Sequence, residues 1–161
     1  MRTLLLSFLL VLAPAAGAAE YVAIAKRGVN IRAAPSTDSK VVARARFGDV
    51  FEVFRREGDW IGIIMFSGKD RFVYAPLVRT VANLPPLPPR NLRRQACSQI
   101  SAAHDRASRE AQELFRNHFD LLVERERFLI DRYQLPIFHR LGISPAHNGR
   151  LVTECVASNW R

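Results

Sequence analysis

Lysine is almost missing from a strongly basic chain. Only Lys26, Lys40 and Lys69 are lysines among 24 basic residues, which leaves 21 arginines in a chain of 161 residues with a formal charge of +9. Arginine's planar fork suits carboxylate and phosphate partners, although a GC-rich genome produces the same bias without a functional cause. Histidine is scarce as well. His104 and His118 lie fourteen residues apart, too far to share an ion, and no His-x-x-x-His pair accompanies His139 and His147, so neither a metal site nor a cofactor is expected. The one strongly apolar run, Leu4 to Leu12, is too short to span a bilayer as a permanent helix. No cysteine follows it to take a lipid, so no permanent membrane anchor is expected.

That run instead has the layout of a secretory signal over residues 1–19. Arg2 supplies the positive start, and Ala16-Gly17-Ala18-Ala19 supplies a small-residue cleavage site. The expectation is a soluble exported protein, periplasmic in location. Export bears on Cys97 and Cys155, because an oxidising compartment favours a disulfide over free thiols. Two buried thiols or a bridge between molecules are the other readings. The apolar share of 48% is that of a folded chain, and the length leaves room for two small domains beyond the signal.

The stretch Val29 to Trp60 organises the first of them. It reads Val29-Asn30-Ile31-Arg32, Pro35-Ser36-Thr37-Asp38-Ser39, Val41-Val42, Gly48-Asp49, Phe51-Glu52-Val53 and Gly58-Asp59-Trp60: short apolar runs parted by turn formers, the pattern of a small antiparallel barrel. Strands are expected at Tyr21–Ala25, at Val29, at Val41–Arg46, at Val50–Phe54, at Trp60–Phe66 and at Arg71–Ala75, with Arg55–Asp59 as a polar hairpin tip. Trp60–Phe66 is nearly all apolar, so both its faces should be covered. Taken together these residues resemble the bacterial Src-homology-3-like (SH3-like) family, from about Tyr21 to Val78. The resemblance implies a five- to seven-stranded barrel that binds and does not catalyse, with Asn30 holding the following loop, Arg32 lying along the barrel and Trp60 packing at its edge. One departure stands out: the family usually carries Gly-Trp where this chain has Arg71-Phe72, which touches any pocket that depends on that tryptophan.

Leu84-Pro85-Pro86-Leu87-Pro88-Pro89-Arg90 changes the composition abruptly. Its prolines favour a polyproline conformation that joins neither helix nor ladder, so it reads as a semi-rigid spacer and domain boundary. From Asn91, a plausible N-cap, the apolar period becomes helical. Leu92, Ala96, Ile100, Ala103, Ala107, Leu114, Leu121 and Phe128 form one stripe, with Phe115, Leu122 and Leu129 beside it. Pro136 should end that pattern, and Ser144-Pro145 should start a last helix through Leu151, Val152, Cys155 and Val156. In one straight helix Cys97 would lie about 54 Å from Tyr133, and the return to Cys155 covers only about 30 Å. For the cysteines to meet, the long segment must bend or break or the return must be partly extended, and Asn117–Asp120, with Asp three residues after Asn, is the candidate break. The chain is therefore expected to be α+β: a signal at 1–19, an all-β SH3-like barrel at 20–80, a proline-rich linker at 81–91, and a disulfide-tied three-helix domain at 92–161.

Cell-wall hydrolases often pair such a barrel with a Cys–His peptidase, but residues 92–161 are too few for that fold and both cysteines suit a disulfide better. Glu124 and Glu126 alternate with Arg125 and Arg127, the pattern of a solvated helix face rather than of an acid–base pair. No catalytic residue is assigned and no enzymatic activity is expected. The binding candidates are Arg44, Arg46, Arg55, Arg56 and Arg71 as a cationic patch joined by Lys69, with Trp60 and Tyr74 as aromatic platforms. Asp49, Glu52, Glu57 and Asp70 are close enough in sequence to cancel that patch. Export disfavours nucleic acid as a partner. A cell-wall polymer bound by the barrel fits best, and an envelope protein docked on the arginine-rich helices is the alternative.

Overall fold

The computed structural model describes residues 19–157, and the signal expected at 1–19 falls, but for Ala19, outside them. Seven strands form one antiparallel sheet: β1 (Glu20–Ile24), β2 (Val29–Arg32), β3 (Val41–Ala45), β4 (Val50–Glu57), β5 (Trp60–Met65), β6 (Gly68–Tyr74) and β7 (Val78–Val81). Their order is β3-β2-β6-β5-β4-β1-β7, which places β3 and β7 at the two ends. The hairpin between β4 and β5 is tighter than expected. β4 runs on through Arg55 and Arg56 to Glu57, and the turn is only Gly58-Asp59, with Gly58 at φ 55, a conformation glycine adopts without strain. β7 is absent from the expectation because it is only four residues long and follows a 3-10 turn at Ala75–Leu77; its partner is the first strand, with Val22 opposite Thr80.

The sheet encloses Val22, Ile24, Val29, Ile31, Phe51, Ile61, Ile63 and Val73. Both faces of β5 are covered, as its composition implies. Ile61 and Ile63 face that core, and Gly62 lies under the Phe54 ring, where an added Cβ would stand 2.7 Å from Phe54 Cε1. Phe54 in turn packs edge-on against Phe72, with ring centroids 6.4 Å apart.

Three helices follow: α1 (Arg90–Phe115), α2 (Phe119–Leu141) and α3 (Asn148–Ala157), the last entered through a 3-10 turn at Pro145–His147. The break between α1 and α2 falls at 116–118, overlapping the candidate break at Asn117–Asp120. Its capping differs from the expectation, since α2 starts after His118 with no side-chain cap and α1 starts at Arg90 rather than from Asn91. The break also shifts the apolar phase, leaving Leu114 and Leu121 57% and 54% exposed, while Ala96, Ala103, Ala107 and Ala111 form the buried stripe of α1. Their small side chains let α2 approach closely. Pro136 does not end α2. A proline inside a helix costs about 3 kcal/mol, and here Leu135, Ile137 and Phe138 are all buried around it, which offsets that cost. The helix stops instead at Gly142, whose φ of 65 is left-handed. Cys97 and Cys155 form the expected intramolecular disulfide, Cα to Cα 5.5 Å, tying α1 to α3.

The two halves do not stand apart. Residues of the sheet and of the helices form one contiguous buried cluster. Phe66 meets Phe138 with ring centroids 4.7 Å apart, and Lys40 Nζ lies 4.2 Å from the centre of the Phe128 ring. The proline run lies along this joint rather than spacing it: Pro88 is buried, its carbonyl accepts from Arg93 Nη1 at 2.8 Å, and the Pro85 carbonyl accepts from His147 Nε2 at 2.9 Å.

Candidate binding site

The arginines expected to form one patch are dispersed by the sheet order. Arg44 and Arg46 are exposed on and just beyond β3, at one end of the sheet. Arg55 and Arg56 lie four strands away on β4, and both have acidic partners. Arg55 pairs with Glu57 at 3.3 Å and lays its guanidinium over Phe54 and Phe72, at 5.4 and 5.0 Å from the ring centres. Arg56 binds Glu20 of β1, and that hydrogen bond raises the arginine's pKa further. The side chains of Lys69 and Asp70 lie outside the described residues.

Arg71 belongs to no surface patch. Its side chain is buried, and its Nε donates to Asp131 Oδ2 of α2 at 2.6 Å. Asp131 is fully buried and also accepts from the Ser67 backbone N–H at 2.9 Å and from Ser67 Oγ at 2.8 Å. A second polar contact joins the halves, His139 Nε2 to Asp49 Oδ2 at 2.8 Å. Burying an arginine is tolerable only with a well-bonded counter-charge, so Arg71 serves the joint between sheet and helices.

Trp60 and Tyr74 do come together. They face each other across β5 and β6 with ring centroids 5.5 Å apart, Trp60 half-buried and Tyr74 38% exposed. They line a cleft of about 280 Å³ whose other walls include Lys26, Arg27, Asn30, Arg32 and Thr37. Lys26 and Arg27 sit in the turn from β1 to β2, and Thr37 in the loop from β2 to β3. That loop is tied to the cleft floor, since Arg32 Nη1 donates to the Ser39 carbonyl at 2.6 Å and Ser39 Oγ accepts from the Ala34 N–H at 2.8 Å. Among the described residues no carboxylate lines the cleft, and its cations share its walls with the two aromatic rings. The arrangement suits a ligand with an anionic group and a flat or sugar-like face. Lys26, Arg27 and Thr37 were not singled out in the sequence, because only folding brings two separate loops beside Trp60.

Among the described residues no three His, Cys, Asp or Glu side chains lie close enough together to hold a metal ion, and no helix is long and apolar enough to cross a membrane.

Residues 27–79, from the β1–β2 turn into β7, match the family model of the bacterial SH3 domain, the family that the Asn30–Arg32 and Gly58–Trp60 motifs resemble. The match covers β2 to β6 and the start of β7, leaves out β1 and stops before the helices, and it is consistent with a binding module. No curated protein and no solved structure matches the chain.

Proposed function

We propose that this protein is an exported, noncatalytic binding module of the cell envelope that takes cell-wall peptide or glycan in the Trp60–Tyr74 cleft. The observation that carries this reading is the aromatic pair beside Lys26, Arg27 and Arg32 with no carboxylate among the lining residues. Wall stem peptides offer carboxylates to such cations, and sugar rings stack on such aromatic faces. Both cysteines are in the disulfide, which removes a thiol nucleophile from consideration. The test is retention of the full chain on purified sacculi at low and high salt, beside Lys26→Ala/Arg27→Ala and Tyr74→Ala. Exposed ion pairs are screened beyond about 8 Å at physiological ionic strength, so retention should fall with salt and in both variants. Salt-insensitive retention, unchanged in the cleft variants, overturns the reading.

One observation favours a second reading, an adaptor that docks on an envelope protein through its helices. At the turn between α1 and α2, Leu114, Phe119 and Leu121 are 57%, 77% and 54% exposed, and Arg116 is exposed in the same turn. Binding through this apolar tip would resist salt and would be lost in Phe119→Ser.

A further inference from the structure

We infer that the groove between β3 and α2 is a second binding site, one that takes an extended acidic segment of a partner protein as an added strand. β3 is the end of the sheet and has only β2 beside it. Along such an edge every second residue directs its backbone N–H and C=O away from the neighbouring strand, toward whatever lies outside. What lies outside is a groove of about 580 Å³. One wall is the run Val41–Arg46 together with Gly28. The opposite wall is a single stripe of α2, made of Phe128, Arg132, Leu135, Pro136 and His139.

Pro136 has a part in this site beyond its effect on the helix. Lacking an N–H, it denies the Arg132 carbonyl the donor that a regular helix would give it, and both residues line the groove. An incoming strand would thus meet acceptors on both walls. The charge of the groove selects the occupant. Arg44, Arg46 and Arg132 are exposed along it, no carboxylate lines it among the described residues, and its histidine is held by Asp49. A second copy of a chain with a formal charge of +9 is a poor occupant. A peptide alternating acidic and apolar residues is a good one, because period-two alternation sets its carboxylates toward the arginines and its apolar side chains toward Val41 and Leu135. The site exists only because the helices dock on the sheet, and among the described residues it shares only Gly28 with the Trp60–Tyr74 cleft.

The experiment presents the immobilised full chain with three pools of capped eight-residue peptides. One alternates Glu or Asp with mixed apolar residues, one replaces the acids by Lys or Arg, and one repeats the acidic pool with every backbone nitrogen methylated. The acidic pool should be enriched over both others. The selected peptides should slow amide exchange across Val41–Arg46 in the wild-type chain, and they should bind at least tenfold more weakly to Arg44→Glu/Arg132→Glu, whose thermal melting should match wild type because both arginines are exposed. Equal retention of the basic or methylated pool, no enrichment at all, or protection elsewhere than β3 overturns the proposal. So does concentration-dependent dimerisation through β3, which would make a second copy the occupant.

Discussion

Arg71 on β6 and Asp131 on α2 are joined Nε to Oδ2 at 2.6 Å, with both side chains almost wholly buried. The resembled family usually carries Gly-Trp where this chain has Arg71-Phe72. That departure has its explanation in the helical half: the guanidinium reaches out of the sheet to a carboxylate that the sheet does not contain. Phe72, meanwhile, holds the ring contact with Phe54.

Asp131→Ala should therefore destabilise the whole molecule, because it takes a buried partner from the Arg71 guanidinium, whose contact with Glu124 is longer at 3.8 Å, and strands the Ser67 donors. Breaking one side of such a pair costs about 3–5 kcal/mol, whereas replacing both partners by apolar residues is close to neutral. In a Trp160→Phe background, urea unfolding followed by Trp60 fluorescence for the sheet and far-ultraviolet dichroism for the helices should show one coincident transition, lowered in Asp131→Ala and largely restored in Arg71→Met/Asp131→Leu. Two separated transitions in wild type would contradict the shared core.

The disulfide closes a loop with a sequence separation of 58, for which chain entropy predicts about 4 kcal/mol of stabilisation. Cys97→Ser/Cys155→Ser should lower that same transition. An effect confined to the helical signal would mean that the two halves unfold independently.

The two aromatics of the cleft should separate stability from binding. Tyr74 is exposed at the end of β6, so Tyr74→Ala should lose only the ring pair, about 1 kcal/mol, while retention on sacculi falls. Trp60→Ala should cost more, because Trp60 is half-buried, yet its partial exposure argues against outright unfolding of the sheet. Thermal melts of the two variants beside wild type decide this. A Tyr74→Ala variant that is strongly destabilised would make the pair structural.

His104 supplies a pH dependence. Burial between the helices lowers its pKa, against the opposing pull of Glu126 and Asp105. The folded state thus holds the neutral ring more readily than the unfolded state, whose histidine titrates near about 6.5. Its contribution is complete above that value and is lost as pH falls through the lower folded value. Between about pH 7.5 and about pH 5 the urea midpoint of wild type should fall further than that of His104→Gln. Equal slopes would show that His104 is not desolvated on folding.

What the sequence determined by itself was local. Period-two runs and turn formers marked the sheet, the helical period marked the second half, and a capping pattern at Asn117–Asp120 marked a break that falls at 116–118. These features are written in neighbouring residues, because strand alternation, helix pitch and chain length act over short distances. Tertiary structure decided the rest. Pro136 lies inside a helix because buried neighbours outweigh its lost hydrogen bond. Arg71 is buried because Asp131, remote in sequence, neutralises it, and the arginines that looked like one patch are separated by the order of the strands. Lys26, Arg27 and Thr37 reach Trp60 only when two loops fold to the same end of the sheet. Charge and burial depend on what lies across space, and no window of sequence holds both partners.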